Sequence, residues 1–126
     1  MSCFNIELPH LAWGVHLSLD LKHCNENVKW ETKLRAFADI LVKSIQMEQF
    51  GETQCVHFGK DDKKGFTLSG LLTTSNYCMH LCDDTGDAFL DIFSCKNIDA
   101  NVVLRLVNEW FEPDLIVHNL YIRGRW

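Results

Sequence analysis

Leu71-Leu72-Thr73-Thr74-Ser75-Asn76-Tyr77-Cys78-Met79-His80 is followed, after one polar turn, by Ala88-Phe89-Leu90-Asp91-Ile92-Phe93-Ser94-Cys95. The acidic turn at residues 83–87 separates two segments that we predict to be neighbouring strands. Together the segments carry a hydroxyl at Ser75, an imidazole five residues later at His80 and a thiol fifteen residues after that at Cys95. This combination of chemical groups is the most informative feature of the chain.

Hydrophobic periodicity outside this stretch predicts the remaining elements. Residues 15–21 alternate between apolar and polar side chains, which is typical of a strand with one buried face. Apolar residues at helical spacing predict helices over residues 30–49 and 100–111. Gly51 is a plausible terminator of the first helix, and Asp99 a plausible cap of the second. The other predicted strands cover residues 54–58, 66–73, 76–81, 88–94 and 115–122.

The predicted order is strand, helix, four strands, helix, strand. Two helices cannot cover both faces of a six-stranded sheet, so we expect both to pack on one face. The predicted fold class is therefore α+β, a two-layer sandwich with a mostly antiparallel sheet. No linker divides the chain, so we expect one domain over residues 1–126. The uncovered sheet face would need water, a ligand or a second subunit, which predicts a homodimer.

Composition narrows the possible partners. The chain has 126 residues, a formal net charge of -5 and a hydrophobic fraction of 47%. An acidic balance disfavours broad phosphate binding, so we expect no nucleic-acid partner. No apolar run approaches the length of a membrane span, so we expect no membrane partner.

The cysteines and the N-terminus suggest a compartment. Residues 1–11 lack a basic region followed by an apolar core, so we predict no signal peptide. Without a secretory signal, free thiols in a reducing cytoplasm are favoured over disulfides. The six cysteines are Cys3, Cys24, Cys55, Cys78, Cys82 and Cys95.

Four motifs resemble those of the bacterial and archaeal S-adenosylmethionine decarboxylases. Gly14-Val15-His16-Leu17 resembles the Gly-Arg-His-Leu strand of that family. Ser75-Asn76-Tyr77-Cys78-Met79-His80-Leu81 resembles its Ser-His-x-x-Ile-His-Thr. The segment from Gly86 to Cys95 is similar to Gly-Tyr-Ala-Ala-Ile-Asp-Leu-Phe-Thr-Cys, and Ile122-Arg123-Gly124 resembles the C-terminal Arg-Gly. The resemblance covers residues 14–125, and the block from Ser75 to Cys95 aligns without gaps.

The resemblance implies a self-processing decarboxylase of polyamine and spermidine biosynthesis. In that family the chain is cut between the positions of Thr74 and Ser75, and the serine becomes a pyruvoyl cofactor. The pyruvoyl carbonyl forms a Schiff base with the substrate amine and acts as an electron sink. By the same resemblance, Thr67 would stabilise the oxyanion of cleavage, and His80 would remove the Ser75 α-proton. Cys95 would return a proton to the product carbon.

Several positions depart from the family pattern. Thr74 stands where the family has glutamate, and Cys82-Asp83-Asp84 replaces its Trp-Pro-Glu turn. The resemblance implies that Asp84 contributes the carboxylate that binds the substrate ribose. Tyr77 stands at an adenine-packing position and would stack on the adenine. The expected substrate is S-adenosylmethionine. The resemblance also implies a homodimer, because the family pairs protomers so that both contribute residues near each active site.

Other interpretations remain open at this point. The chain could be a pyruvoyl decarboxylase of arginine or ornithine, or a non-catalytic binding or regulatory homologue. A zinc site is one alternative, because Cys78, His80 and Cys82 share a predicted face and could bind the ion together with His57 or Cys95. We nevertheless predict that the protein has no metal site. Strict alternation also puts Ser75 and His80 on opposite faces, so we predict a bulge or a bend near Asn76.

Overall fold

A computed structural model describes residues 12–126 of the chain. Its six strands are β1 (Gly14–Lys22), β2 (Gln49–Phe58), β3 (Gly65–Leu72), β4 (Ser75–Leu81), β5 (Ala88–Ser94) and β6 (Leu115–Arg123). All of the strand pairs are antiparallel, and the order across the sheet is β2-β3-β4-β5-β1-β6. The first strand of the chain thus lies between β5 and the last strand, β6.

Two α-helices cover one face of this sheet. They are α1 (Glu31–Ser44) and α2 (Ala100–Phe111), and a short 3-10 helix (Glu26–Lys29) precedes α1. The predicted Asp99 cap is confirmed, because the Asp99 carboxylate accepts a hydrogen bond from the Asn101 N–H at 3.0 Å. The predicted two-layer α+β sandwich is confirmed as the fold. Neither helix is long and apolar enough to cross a membrane.

The first helix is shorter than predicted and does not end at Gly51. It stops at Ser44 because Gln46 adopts a left-handed conformation, with φ of 58°. The Met47 N–H then bonds to the Val42 carbonyl, and the Gln46 N–H to the Lys43 carbonyl. This is a Schellman ending in which glutamine occupies the position that usually holds glycine, so the sequence carried no signal for it. Gly51 instead lies at an irregularity of β2.

The core lies between the helices and the sheet. Alternate residues of β1, β4 and β5 point into it, together with the apolar faces of α1 and α2. Its largest fully buried side chains include Leu17, Leu19, Leu34, Phe37, Tyr77, Met79, Leu90, Ile92 and Phe111. The opposite sheet face, which we call the open face, carries Thr67 and Ser69 of β3, Asn76, Cys78 and His80 of β4, and Phe89, Asp91 and Phe93 of β5.

Candidate active site

The Thr74–Ser75 bond lies at a strained turn between β3 and β4. Leu72 pairs with Ser75, so Thr73 and Thr74 form a two-residue hairpin turn. Thr74 has φ of 56°. A positive φ at the second residue of such a turn favours glycine or asparagine, and for a β-branched residue it is an unfavourable conformation. Backbone strain therefore lies directly before the Ser75 nitrogen.

Cys95 holds both sides of this bond. It follows β5, which is adjacent to β4, and its backbone N–H donates to Ser75 Oγ at 2.9 Å. The Thr74 hydroxyl is 2.8 Å from Cys95 Sγ and also 2.7 Å from the Thr73 carbonyl oxygen. Ser75 is 9% exposed. The predicted nucleophile, the residue before it and the predicted thiol thus form one cluster, which we call the scissile cluster.

His80 and Thr67 form a second cluster. They are a cross-strand pair on the open face, and Thr67 Oγ1 lies 2.9 Å from His80 Nδ1. Cys78 Sγ is 3.7 Å from the other ring nitrogen, Nε2. The hydroxyl therefore fixes the orientation of the imidazole, and we call this pair the His80 cluster.

The two clusters do not meet within one chain. Ser75 and His80 are at opposite ends of β4, about 17 Å apart at roughly 3.3 Å per residue. The register of β4 with both neighbours is continuous, so the bulge that we predicted near Asn76 is not there. Ser75 faces the helices and His80 the open face. One protomer therefore cannot bring this imidazole to its own Ser75 α-carbon.

Each cluster borders a cavity. The cavity beside His80 has a volume of about 510 Å³, and its walls include Phe58, Phe66, Thr67, Cys82 and Phe89. The cavity beside Ser75 has a volume of about 500 Å³, and its walls include Phe50, Leu71, Thr74 and Phe93. Mostly apolar walls with a few polar groups are typical of small-ligand sites.

Tyr77 does not line either cavity, and its burial contradicts the prediction that it stacks on the adenine of the substrate. Its side chain points toward the helices and is 1% exposed. The Tyr77 hydroxyl lies 2.8 Å from Thr53 Oγ1 and donates to Gln49 at 3.3 Å. Gly70, its cross-strand partner, makes room for the ring, because a Cβ there would lie 2.5 Å from it. Burial also raises the pKa of the Tyr77 hydroxyl.

The turn after β4 forms one wall of the cavity beside His80. Cys82, Thr85 and Asp87 line the wall, whereas Asp84 is exposed on the same turn and does not line it. Asp83 Oδ2 lies 2.6 Å from His57 Nε2 and so ties the turn to the end of β2. Sequence reasoning missed the His57–Asp83 pair and the wall residues Phe66, Asp87 and Phe89, because their proximity depends on strand register.

The thiols differ sharply in their environments. Burial raises the pKa of Cys24 to about 12 and also raises the pKa values of Cys55 and Cys78. The pKa of Cys95 is lowered, chiefly by the hydrogen bond from Thr74 and further by hydrogen bonds from Ser75 and its own backbone. Lower thiol pKa values increase the thiolate fraction near neutral pH.

No disulfide or metal site involves the residues that the structure describes. Cys24, Cys55, Cys78, Cys82 and Cys95 are free thiols there, whereas Cys3 lies outside the described residues. Within residues 12–126, no group of three His, Cys, Asp or Glu side chains is arranged to hold a metal ion. Cys82 Sγ instead donates to the Asp62 carbonyl at 2.9 Å. The zinc alternative therefore gains no support from the structure.

The protein is thus an α+β sandwich with helices on one face of an antiparallel sheet. Its candidate site combines a serine at a strained hairpin turn with a neighbouring cysteine. The family model described as S-adenosylmethionine decarboxylase matches residues 15–124. The chain belongs to the S-adenosylmethionine decarboxylase family, a family of carboxy-lyases.

Solved structures agree with this assignment at the level of the fold. The crystal structure of the adenosylmethionine decarboxylase from Aquifex aeolicus VF5 superposes with a TM-score of 0.76 at 19% identity. The match covers 90% of this chain and 92% of the Aquifex chain. No curated protein sequence matches this chain significantly.

Proposed function

We propose that this chain is a pyruvoyl-dependent S-adenosylmethionine decarboxylase of polyamine and spermidine biosynthesis that processes itself between Thr74 and Ser75. The observation that carries the proposal is the scissile cluster. Ser75 follows a residue with a positive φ, and Cys95 binds both the Ser75 hydroxyl and the Thr74 side chain. Family membership supplies the reaction class, and this geometry supports the cut at this peptide bond.

Self-cleavage proceeds in two steps. Ser75 Oγ attacks the Thr74 carbonyl carbon, so that a C–O bond forms, the peptide C–N bond breaks and the nitrogen takes up a proton. Relief of the strained conformation favours this shift to an ester. A base then removes the Ser75 α-proton, and the Cβ–O bond breaks to release the Thr74 carboxylate. Addition of water and loss of ammonia leave a pyruvoyl group at position 75.

Three further residues assist this chemistry. His80 is the base for the α-proton, with its ring oriented by Thr67. The Thr67 hydroxyl, which lies in the same cluster as His80, also donates to the oxyanion that forms at the Thr74 carbonyl of a second chain. When formed, the pyruvoyl group supplies the electron sink for loss of carbon dioxide. Cys95 delivers a proton to the product carbon, which its position beside residue 75 supports.

The separation of the two clusters leads us to propose a homodimer with composite active sites. Large apolar side chains of the open face remain exposed in one chain, and they lie on β2, β3 and β5. Their exposed fractions are Phe50 75%, Leu71 60%, Phe58 58%, Val56 52% and Phe89 44%. Exposed apolar surface of this kind marks an interaction face.

A two-fold axis across the middle of β4 is the arrangement that we propose. Such an axis stacks two open faces with their β4 strands antiparallel, so the start of one β4 lies over the end of the other. The cavity beside Ser75 of one chain then faces the cavity beside His80 of its partner. The scissile cluster thereby gains the imidazole that its own chain cannot supply.

Substrate binding would occur between the two cavities. Aromatic walls from Phe58, Phe66 and Phe89 suit an adenine ring, replacing the role predicted for Tyr77. Asp84 on the neighbouring turn is the carboxylate that we propose for the ribose. The free thiols favour a reducing compartment, which supports our proposal that the enzyme is cytoplasmic.

Intact-mass measurement of the purified protein tests the proposed function. We expect two fragments, residues 1–74 and 75–126, with a pyruvoyl group at the start of the second. The Ser75→Ala variant should retain one full-length mass, because no nucleophile remains. A single full-length mass for the unsubstituted protein after prolonged incubation would reject self-processing and favour a non-catalytic homologue.

A further inference from the structure

Thr74 is the site of an inference that rests on the proposed function. This residue stands where the family motif has glutamate, so its hydroxyl distinguishes this chain from that motif. Thr74 Oγ1 is within hydrogen-bond distance of two groups, Cys95 Sγ at 2.8 Å and the Thr73 carbonyl oxygen at 2.7 Å. The carbonyl oxygen is itself 3.9 Å from the sulfur. The three atoms form one compact network at the scissile bond.

Hydrogen counting shows what this network does for the sulfur. The hydroxyl carries one hydrogen, which it can donate either to the carbonyl or to the sulfur. With a protonated thiol, the hydroxyl donates to the Thr73 carbonyl and accepts the S–H. With a thiolate, the hydroxyl turns and donates to the sulfur. Thr74 therefore has a hydrogen-bonded arrangement for each protonation state of Cys95, and the charged state gains the stronger bond.

We propose that Thr74 is a positioning residue for Cys95, holding its sulfur beside residue 75 and favouring its thiolate before the chain is cut. Ser75 contributes to the same placement, because its Oγ accepts from the Cys95 N–H. The sulfur and the backbone of Cys95 are thus held by two consecutive residues on either side of the bond that breaks. The Cys95 sulfur is consequently in place when the pyruvoyl group forms.

Lys96 and burial also affect the protonation of Cys95, in opposite directions. Lys96 is adjacent and favours the thiolate, but its ammonium group hydrogen-bonds the Gln46 carbonyl. Burial at Cys95 acts in the opposite direction and disfavours the thiolate. Burial raises the pKa values of Cys24, Cys55 and Cys78, so these thiols serve as internal references.

Alkylation of Cys95 as a function of pH tests this proposal without requiring activity. All of the proteins carry Ser75→Ala and so remain uncut, and peptide mass spectrometry follows iodoacetamide labelling at each cysteine. Thr74→Val removes the hydroxyl but keeps the β-branched shape, whereas Thr74→Ser keeps the hydroxyl and lessens the crowding. Comparison of these two variants separates the hydrogen bond from the backbone strain.

We expect Thr74→Val to shift the pH midpoint of Cys95 labelling upward, while Thr74→Ser stays close to the parent. The thiolate fraction at a pH below the midpoint should fall about fivefold in the valine variant, the factor for one hydrogen bond. The pH midpoint is the deciding measurement, because a thiolate of higher pKa is also intrinsically more nucleophilic. Labelling of Cys24 should not change.

Two results would overturn the assignment. One is a valine variant whose midpoint equals that of the parent and of the serine variant. The other is a serine variant that shifts as far as the valine variant, which would make backbone geometry the cause. Failure of the proposed function is distinguishable, since it would appear as an uncut chain with native Ser75 whatever the labelling shows.

Discussion

His80 illustrates how one residue depends on its partners. Its ring is held by Thr67, on the open face and about five residues along β4 from Ser75. We predict that His80→Ala stalls after the ester forms, because the nucleophile remains but the base for the α-proton is gone. Intact mass should show an uncut chain that hydroxylamine cleaves at position 74, whereas Ser75→Ala should resist hydroxylamine. A His80→Ala protein that cuts itself at the native rate would contradict this role.

Asp84 is a second test at the scale of one residue. It is exposed on the turn beside the cavity rather than in its wall. If it contacts the ribose equally in the ground and transition states, Asp84→Ala should raise KM for S-adenosylmethionine and leave kcat unchanged. Glu109→Ala, on the exposed face of α2, makes the same change in charge away from the site and is the control. An unchanged KM would show that Asp84 does not bind the substrate. Release of carbon dioxide from arginine or ornithine, but not from S-adenosylmethionine, would show that the proposed substrate is wrong.

Strand β4 shows what alternation does at the scale of an element. Residues 75, 77, 79 and 81 face the helices. The Tyr77 hydroxyl forms hydrogen bonds with Thr53 and Gln49, which both belong to β2. We predict that Tyr77→Phe lowers the free energy of unfolding by about 1 kcal/mol, the value of one buried hydrogen bond. Urea unfolding in the uncut Ser75→Ala protein measures this loss.

The control for Tyr77 is Tyr121, which is half exposed on β6. Tyr121→Phe should change stability by less than about 0.5 kcal/mol, as is usual for surface substitutions. In the cut enzyme, Tyr77→Phe should leave KM unchanged, because the ring faces the core. A raised KM without a loss of stability would restore the stacking role that burial argues against.

Composite active sites are a property of the whole molecule, and complementation tests them. Coexpressed Ser75→Ala and His80→Ala chains form mixed dimers in which one site has both native residues, one from each chain. We expect cutting of the His80→Ala chain only in the mixture, because its Ser75 then meets the partner's native imidazole. Mass spectrometry identifies which chain is cut.

The mixture experiment has two contradicting outcomes. No cutting in the mixture, with both chains folded, would show that the residues do not act across an interface. A protein that is monomeric by light scattering at micromolar concentration, yet cuts itself, would reject the dimer altogether. Either result would require a route by which His80 reaches Ser75 within one chain.

Local pattern was enough to determine much of this protein. Alternation and helical spacing predicted all six strands and both helices, and the motifs around Ser75, His80 and Cys95 resembled those of the family. These features depend on neighbours in the sequence, whose side chains must share a face if they are buried together. The end of α1 was missed because Gln46 adopts a left-handed conformation, which the backbone hydrogen bonds of Gln46 and Met47 to the last turn of the helix stabilise.

The tertiary structure decided which groups meet. Strand order and register bring Cys95 to Ser75 and Thr67 to His80, and they keep these two clusters at opposite ends of β4. The same pairings bury Tyr77 beneath Gly70 and join His57 to Asp83. Such contacts join residues distant in sequence, and their geometry follows from burying one whole face of the sheet, which no local pattern encodes.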